Sequence, residues 1–427
     1  MTRDITHPAD YLVDAMARIY RYRMTTTSGG NLSIRDTDDS IWITPARVDK
    51  GTLRREDIVH VLPEGSSEGR HKASSEFPFH QKIYQQRPDI GAIIHAHPVA
   101  LVAFSICGRT PDTRLFAKAH AMCGEVGFAP YALPGSVALG ERIAEVFAKG
   151  HNCVMLENHG VVVAGRNFNE AFRRFELLEF VAKTIIKASL LGEVNYLNEK
   201  QLAAAETPAV PLPTFIPEDP TSRECKLRTE LCEFIRRGYQ QRLLISTAGS
   251  FSARLDEDSF LIMGELADRA TITPDQFVLI KNGEAQEGRP PSRAHRLHAP
   301  IYAQHPEINA IVNATPVNAT AFSVSPSKLD SRTIPESYIF LRDIAQLPVE
   351  SLYVEPESIA KAVSKEAPIA LIENDCVVVV GETILDAFDR LEVLESTAEA
   401  VINSHSLGDV HPMSDTVIEE LKEAFLS

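Results

Sequence analysis

Four blocks of this sequence occur twice, in the same order and at nearly constant spacing. The clearest pair is FHQKIYQQRPDIGAII, starting at Phe79, and LHAPIYAQHPEINAIV, starting at Leu297, which sets His80 and His298 218 residues apart (298 − 80). One unit of a solenoid repeat spans only about 20–50 residues. The chain is therefore predicted to fold as two similar domains of about 200 residues each.

A proline-rich segment separates the two copies. TPAVPLPTFIPEDP, residues 207–220, contains five prolines and little hydrophobic periodicity. Prolines at this density favour an extended connector over a helix or a strand. We therefore predict a first domain over residues 1–206, a linker over 207–220 and a second domain over 221–427.

Hydrophobic periodicity predicts alternating helices and strands in the first copy. Helical spacing covers residues 8–22, 75–86 and 169–190. Short apolar runs predict strands at NLSIR, residues 41–43, AIIHAH, CVML and GVVVAG. These elements indicate an α/β fold, but the pattern does not determine the order of the strands in the sheet.

The charge balance limits the partners of this chain. Its 43 Lys and Arg residues against 58 Asp and Glu residues give a formal net charge of −15. Such a surface repels phosphate backbones and anionic lipids, so we predict no nucleic-acid or membrane partner. The N-terminus lacks an apolar signal core, no apolar run is long enough to span a bilayer, and the six cysteines show no C-x-x-C spacing. We therefore predict a cytoplasmic protein with reduced thiols.

Three histidines of the first copy form a candidate metal site. His95 and His97 are two residues apart on a predicted strand, so their rings project from the same face. His159 falls in a predicted tight turn, where Gly160 is expected to relax the backbone. Three imidazoles with a fourth position open are typical of a catalytic metal site. The alternative is a pair of buried, hydrogen-bonded core histidines, which would be costly in so apolar a segment.

Glu76 follows Ser74 and Ser75 at the predicted start of a helix. A carboxylate at this position is also common for a simpler reason, since the helix dipole favours it. Serine hydroxyls and free backbone N–H groups at a helix start can instead bind an anion. Composition alone leaves both interpretations open.

Taken together, these segments resemble the class II aldolase/adducin family. The matching motifs, in family order, are SGGN (28–31), ITP (43–45), SSE (74–76), H-x-H (95–97), PYALPGS (130–136) and NHG (158–160). The resemblance implies two tandem three-layer α/β/α domains with largely antiparallel central sheets. It also implies a homo-oligomer, with active sites between neighbouring domains of a ring.

The resemblance assigns roles to individual residues. A divalent metal, usually zinc, would be held by His95, His97 and His159, with Glu76 as the catalytic acid and base. Asn31, Thr44, Ser74 and Ser75 would cradle a substrate phosphate. The implied activity is that of a zinc-dependent lyase, which cleaves or forms a C–C bond in a small phosphorylated or acidic sugar derivative through a metal-stabilised enediolate. Same-fold epimerases, dehydratases and decarboxylases, and a non-catalytic adducin-like interaction protein, remain alternatives.

The second copy departs from the family pattern at every metal position. Asn313, Thr315 and Asp375 stand opposite His95, His97 and His159, Ala294 stands opposite Glu76, and Ser250 stands opposite Asn31. Without imidazole these side chains make a poor zinc site. We therefore predict a metal-free second domain and one metal per chain.

Two further positions depart from the aldolase pattern. Arg47 follows Thr44-Pro45-Ala46, where these aldolases usually have glycine, and it is predicted to bind a phosphate or carboxylate, unless it is a solvated surface side chain.

The family also places a tyrosine that reaches the neighbouring subunit's site. An alignment of Tyr131 with Tyr353 sets Tyr338 opposite Phe116. We therefore hypothesise that Tyr338 of one chain completes the site of another, in a dimer whose four domains form a pseudo-fourfold ring. The alternative is that Tyr338 is a packing residue.

Overall fold

The computed structural model describes residues 6–206 and 210–426. The chain divides into two compact units, one of Met1–Thr113 and Lys118–Lys183, the other of Arg114–Ala117 and Thr184–Ser427. Residues after 184 join the second unit because Leu197 and Ala117 pack with Val349 there. The boundaries at 206 and 220 stay a prediction, since a division by contacts and a boundary of duplication need not coincide.

The first part of the chain contains eight strands and six helices among the described residues. In chain order they are α1 (Pro8–Arg21), β1 (Asn31–Arg35), β2 (Ile41–Ile43), β3 (Val59–Val61), β4 (Ser67–Glu68), α2 (Phe77–Gln86), β5 (Ala92–Ala96), α3 (Val99–Ile106), α4 (Ala117–Cys123), β6 (Gly127–Ala129), α5 (Val137–Ala148), β7 (Cys153–Leu156), β8 (Val161–Gly165) and α6 (Phe168–Ala188). The helices and strands predicted from periodicity are confirmed to within a few residues.

The eight strands form one sheet in the order β4-β3-β2-β1-β5-β8-β7-β6. All neighbouring pairs are antiparallel except β6 and β7. The central strands β5 and β8 are buried along their whole length, which explains their unbroken apolar runs. Phe79 and Ile83 of α2 and Phe147 of α5 pack against one face of the sheet, while α1 contacts β1 and β2.

The second part repeats this plan with additions at both ends. Its elements are α7 (Glu199–Ala205), β9 (Thr214–Phe215), α8 (Ser222–Gln240), β10 (Ser250–Asp256), β11 (Ser259–Met263), β12 (Phe277–Lys281), β13 (Glu284–Gln286), α9 (His295–Gln304), β14 (Ala310–Ala314), α10 (Val317–Ser323), α11 (Pro335–Leu341), β15 (Ala345–Leu347), α12 (Glu350–Tyr353), α13 (Pro356–Ala362), β16 (Ile369–Ile372), β17 (Val377–Gly381), α14 (Ile384–Ser404) and α15 (Asp415–Phe425).

The second sheet has nine strands in the order β15-β16-β17-β14-β10-β11-β12-β13-β9. It is antiparallel except at its two edges, where β15 pairs with β16 and β9 pairs with β13 in parallel. The prediction of two tandem α/β domains with largely antiparallel sheets is thus confirmed.

The edge strand β9 belongs to the predicted proline-rich linker. Residues 207–209 of that linker lie outside the described residues. Residues 214 and 215 pair with β13 rather than crossing as a free connector, because an edge strand tolerates neighbouring prolines.

Equivalent elements align the two copies independently of sequence. Helices α4 and α11 begin 218 residues apart (335 − 117), as do strands β6 and β15 (345 − 127). This spacing sets Tyr338 opposite His120, and Phe116 opposite Ile334. The alignment through Tyr131 and Tyr353 is therefore wrong in this segment, because Tyr353 ends helix α12, whereas Tyr131 lies in an extended loop.

Among the described residues, no helix combines the length and hydropathy needed to cross a bilayer.

Candidate active site

The three predicted metal-binding histidines come together at one end of β5. His95 is the fourth residue of β5, His97 follows the strand, and His159 lies in the turn between β7 and β8. Antiparallel pairing of β8 with both β5 and β7 brings that turn beside the end of β5. One potential ligand atom from each histidine lies within 4.8 Å of the others, and the Nε2 atoms of His95 and His97 are 3.1 Å apart.

The donor set fits a divalent metal ion. His95 Nδ1 donates to the carbonyl oxygen of Val161 at 3.0 Å, so Nε2 is the nitrogen that faces the cluster and could bind a metal once its proton is lost. Burial lowers the pKa of His97 to about 3 and that of His159 to about 4, which keeps both rings in the neutral form that binds metals. For His95, burial also lowers the pKa, but the neighbouring Glu76 carboxylate outweighs it and raises the pKa overall.

Two glycines make room for the ring of His97. A Cβ atom at Gly160 would lie 2.5 Å from His97 Cδ2, and one at Gly29 would lie 2.8 Å from His97 Nδ1. The expected role of Gly160 in relaxing the backbone is wrong, because the left-handed residue of this turn is Asn158, with φ at 53°. Gly160 matters for close packing instead.

Glu76 lies directly against the histidines. As the N-cap residue of α2 it makes no capping hydrogen bond with its side chain. Its Oε2 is 3.2 Å from His95 Nε2 and accepts a hydrogen bond of 2.7 Å from Asn31 Nδ2, while Oε1 is 3.7 Å from His159 Nε2. Among the described residues, Oε1 has no hydrogen-bond partner. The carboxylate is thus aimed at the cluster rather than at the helix.

The charge state of Glu76 follows from two opposing effects. Burial raises the pKa of its carboxyl group, but the positive charge of His95, together with hydrogen bonds from His95 and Asn31, holds the pKa well below its usual range. The group is therefore an ionised base near neutral pH.

The predicted phosphate ligands differ in how far their side chains are exposed to solvent. Thr44 is buried, and its Oγ1 accepts from the backbone N–H of Leu32 at 3.1 Å. Ser74 is also buried, and its Oγ accepts from the N–H of Glu76 at 3.3 Å. Ser75 is exposed at the start of α2.

Arg47 and Asn31 differ from the expectation in instructive ways. Arg47 is exposed and adopts a left-handed backbone, with φ at 58°, a conformation that glycine adopts most readily. Asn31 pairs with His95 across β1 and β5, and its amide already contacts Glu76. Only one hydrogen of its NH₂ group is left for a phosphate.

A buried histidine that sequence reasoning did not assign lies behind this site. His80 on α2 is fully buried and contacts Asn31 Oδ1 through Nε2 at 2.5 Å. Its Nδ1 contacts Ser33 Oγ at 2.7 Å, and Ser33 Oγ contacts Tyr84 OH at 2.8 Å. The signal was available in the duplication, because this histidine recurs as His298 in the second copy.

The second copy lacks the metal-binding arrangement. The structural pairing of β10 with β14 places Ser250 beside Asn313, as β1 and β5 place Asn31 beside His95. Asn313 Oδ1 is 3.1 Å from His298 Nε2, and Asp375 Oδ2 accepts from Tyr353 OH at 3.0 Å. Within residues 6–206 and 210–426, the three histidines of the first copy form the one group of metal-binding side chains.

Tyr338 lies in the second unit. It is on α11, is 8% exposed, and lines a cavity with Arg342 and Lys422. Because the corrected alignment sets it opposite His120, the comparison with Phe116 no longer supports its catalytic role.

Comparison with known proteins agrees with the duplication. The family model described as the class II aldolase and adducin N-terminal domain matches residues 10–186 and again residues 229–402.

Several curated proteins are similar to about two fifths of the chain. An L-fuculose phosphate aldolase of Methanococcus maripaludis is 33% identical over 39% of this chain and 88% of its own length. A 5-methylthioribulose-1-phosphate/5-deoxyribulose-1-phosphate aldolase of Rhodospirillum rubrum is 30% identical over 45% of this chain and 86% of its own. A 3-oxo-tetronate 4-phosphate decarboxylase of Pectobacterium atrosepticum is 33% identical over 45% and 89%.

Proposed function

The chain belongs to the class II aldolase and adducin family, and we propose that its first copy is a metal-dependent lyase of the aldolase type. The proposed reaction cleaves or forms a C–C bond in a small phosphorylated or acidic sugar derivative. The observation that carries the proposal is the convergence of three histidines on the carboxylate of Glu76, with His95 Nε2 3.2 Å from it. The substrate class is supported by the names of the three relatives, each of which contains a phosphorylated sugar or sugar acid.

His95, His97 and His159 are the residues that would hold the metal, which we propose to be zinc, at one ion per chain. Imidazole nitrogen is a ligand that zinc favours, and three protein ligands leave a position for substrate. When bound, such an ion would supply Lewis acidity to substrate oxygens, a stabilisation on the order of several kcal/mol.

Glu76 is the proposed acid–base residue. In the direction of synthesis, its ionised carboxylate removes a proton from the substrate carbon next to the carbonyl group, and the electron pair left on that carbon forms the new bond to the aldehyde carbon. The π electrons of the aldehyde C=O move to its oxygen, which takes a proton from solvent and becomes a hydroxyl group. In the direction of cleavage, that hydroxyl group loses its proton to solvent, the C–C bond breaks as the aldehyde C=O re-forms, and the same carboxyl group returns a proton to the other carbon. The hydrogen bond from Asn31 holds the carboxylate in place during both.

The start of α2 is the proposed binding site for the substrate's phosphate or carboxylate. The positive end of the helix dipole attracts anions, and Ser75 is exposed there. Thr44, Ser74 and Asn31 would complete the cradle. Arg47 would add a positive charge at its edge.

Decarboxylation is the second candidate, because one relative that is 33% identical is a decarboxylase. Loss of CO₂ from a keto acid also leaves an electron pair on a carbon next to a carbonyl group, so the same residues would serve. An adducin-like, non-catalytic role would fit the second copy, which has lost the ligands, but not the first.

Turnover of the relatives' substrates tests the proposal. The zinc-loaded protein is given L-fuculose phosphate, 5-methylthioribulose 1-phosphate and 3-oxo-tetronate 4-phosphate, and released aldehyde and CO₂ are measured. We expect aldehyde from a ketose phosphate, a loss of kcat on the order of 10²–10⁴-fold in Glu76→Gln, and no loss in the matched variant Ala294→Gln. Release of CO₂ alone would favour the decarboxylase. No turnover by protein that has bound its metal would contradict the substrate class.

We also propose that two chains assemble into a ring of four domains, the arrangement implied by the family resemblance. The prediction that Tyr338 of one chain completes the site of the other now rests on that resemblance alone. Tyr338→Phe tests it: turnover falls sharply with metal content unchanged if the hydroxyl takes part, and stays at the wild-type rate if Tyr338 only packs.

A further inference from the structure

Five polar side chains form a continuous chain that ends at Glu76. The contacts run from Tyr84 OH to Ser33 Oγ (2.8 Å), from Ser33 Oγ to His80 Nδ1 (2.7 Å), from His80 Nε2 to Asn31 Oδ1 (2.5 Å) and from Asn31 Nδ2 to Glu76 Oε2 (2.7 Å). His80 and Ser33 are fully buried, and Asn31 is 2% exposed.

The direction of every hydrogen bond in this series of five side chains follows from the carboxylate of Glu76, with which the series ends. An ionised carboxylate only accepts, so Asn31 must present its NH₂ group to Glu76 and its Oδ1 to His80. His80 must then carry its proton on Nε2. Burial lowers the pKa of His80 to about 3, so the ring is neutral and its Nδ1 is an acceptor.

The hydroxyl groups of Ser33 and Tyr84 make the remaining two hydrogen bonds of the series. Ser33 donates to His80 Nδ1, and its oxygen accepts from the hydroxyl group of Tyr84. Each donor thus points towards the carboxylate of Glu76, and no member of the chain can reverse without leaving a buried group unpaired.

The second copy shows which part of this chain serves the fold. Tyr302, Ser252 and His298 repeat the first three members, with contacts of 2.8 Å and 2.7 Å. The contacts there continue from His298 to Asn313, the counterpart of His95 rather than of Asn31, and Ala294 stands in the place of Glu76. The shared three residues are therefore structural, whereas the extension through Asn31 to Glu76 exists only in the copy with the histidine cluster.

We propose that His80 is a positioning residue of the active site: its Nε2–H fixes the amide of Asn31, and Asn31 in turn holds the Glu76 carboxylate against the histidines. Without that donor the amide can rotate by 180° and present oxygen to oxygen. The repulsion would move the carboxylate. This inference rests on the proposed acid–base role of Glu76.

Two substitutions at His80 separate this role from packing. In His80→Asn the new amide reaches the place of Nδ1, so the contact with Ser33 is kept and the donor to Asn31 is lost. In His80→Gln the amide reaches the place of Nε2, so the donor to Asn31 is restored. His298→Asn makes the same change in the second copy and is the matched control.

We expect His80→Asn to lower kcat on the order of 10- to 100-fold, with KM and bound zinc unchanged. His80→Gln should recover most of the loss. His298→Asn should lower thermal stability as much as His80→Asn does, with kcat unchanged. Wild-type kcat in His80→Asn, or an equal loss in His298→Asn, would overturn the proposal.

A second measurement tests the role of His80 independently of the proposed reaction. If Glu76→Gln retains full turnover, the acid–base role has failed, yet the hydrogen-bond direction can still be read from ¹⁵N spectra of histidine-labelled protein. The signal that disappears in His80→Asn should be that of a ring protonated at Nε2. A ring protonated at Nδ1 would overturn the inference by itself.

Discussion

At the scale of single residues, the candidate metal site depends on two positions without a side chain as much as on its three histidines. Gly29 and Gly160 both approach the ring of His97 so closely that neither could carry a Cβ atom. In the second copy Ala248 and Cys376 take these two places, and the smaller Thr315 takes that of His97. Restoring a metal there would require at least these three positions to change together.

Gly160→Ala should therefore abolish metal binding although it changes no ligand. The new methyl group would lie 2.5 Å from His97 Cδ2 and 2.6 Å from the carbonyl oxygen of Ala96, so the ring must move. Zinc content by mass spectrometry measures the loss. Gly140→Ala is the control, because its methyl group would meet Phe79 at an ordinary 3.4 Å; equal zinc content in both variants would refute the steric account.

Arg47→Gly should separate substrate binding from stability. A left-handed backbone costs a non-glycine residue about 1–2 kcal/mol, and the extra freedom of glycine in the unfolded chain offsets about 0.5–1 kcal/mol of the gain. We expect the free energy of unfolding to rise by at most about 1.5 kcal/mol. The KM for a phosphorylated substrate should rise about tenfold as the charged contact is lost.

The matched control for Arg47 is Leu266→Gly. Leu266 occupies the equivalent place in the second copy, with φ also at 58°, and is 59% exposed. It should reproduce the change in stability without a change in KM. An unchanged KM in Arg47→Gly would show that the arginine is a solvated surface side chain.

The sequence predicted the histidine cluster better than the residues that position it. His95, His97 and His159 could be recognised because two of them share one face of a predicted strand and the third lies in a predicted turn, alongside motifs of one family. The role of His80 could not be predicted. It depends on which residues of β1 lie against α2, and the sequence does not show which strand that helix packs on. The clash that makes Gly160 necessary is likewise a distance between segments that sequence does not give.

At the scale of elements, a buried polar cluster ties a helix to the sheet in each copy, to β1 alone in the first copy and to two strands in the second. In the second copy His298 of α9 contacts Ser252 of β10 and Asn313 of β14. Burial lowers the pKa of His298 to about 3. The helix is thus attached by a ring that must stay neutral.

This attachment predicts a pH dependence. Between pH 6.5 and about 3 the unfolded chain binds a proton at His298 and the folded chain does not, so the free energy of unfolding falls as the pH falls, by up to about 1.4 kcal/mol per pH unit. Above pH 6.5 this contribution is fully present. Urea unfolding at pH 7, 5.5 and 4.5 should show a shallower dependence in His298→Asn than in the wild type; identical slopes would contradict the prediction.

Elements themselves were predictable where their pattern is local. The unbroken apolar runs of β5 and β8 identify buried strands without any knowledge of their neighbours. Strand order and the length of loops were not predictable, since both depend on contacts between distant segments. The failed alignment of Tyr338 shows the consequence, because α12 replaces an extended loop and shifts the apparent match by four residues.

At the scale of the whole molecule, the chain pairs one copy that carries the histidine cluster with one that keeps the fold without it. Both copies retain the sheet and the buried histidine network, but only the first retains three histidines and Glu76. We propose that the second copy serves as a structural partner in a ring of domains. Such a ring of two chains would contain two active sites.

Metal content per chain is the measurement that tests this account most directly. Purified, zinc-reconstituted protein should contain one zinc ion per chain by mass spectrometry. The ion should be lost in the His95→Ala, His97→Ala double variant and kept in the matched Asn313→Ala, Thr315→Ala double variant. No bound metal after reconstitution would contradict the proposed enzyme, and two ions per chain would contradict the assignment of the second copy as metal-free.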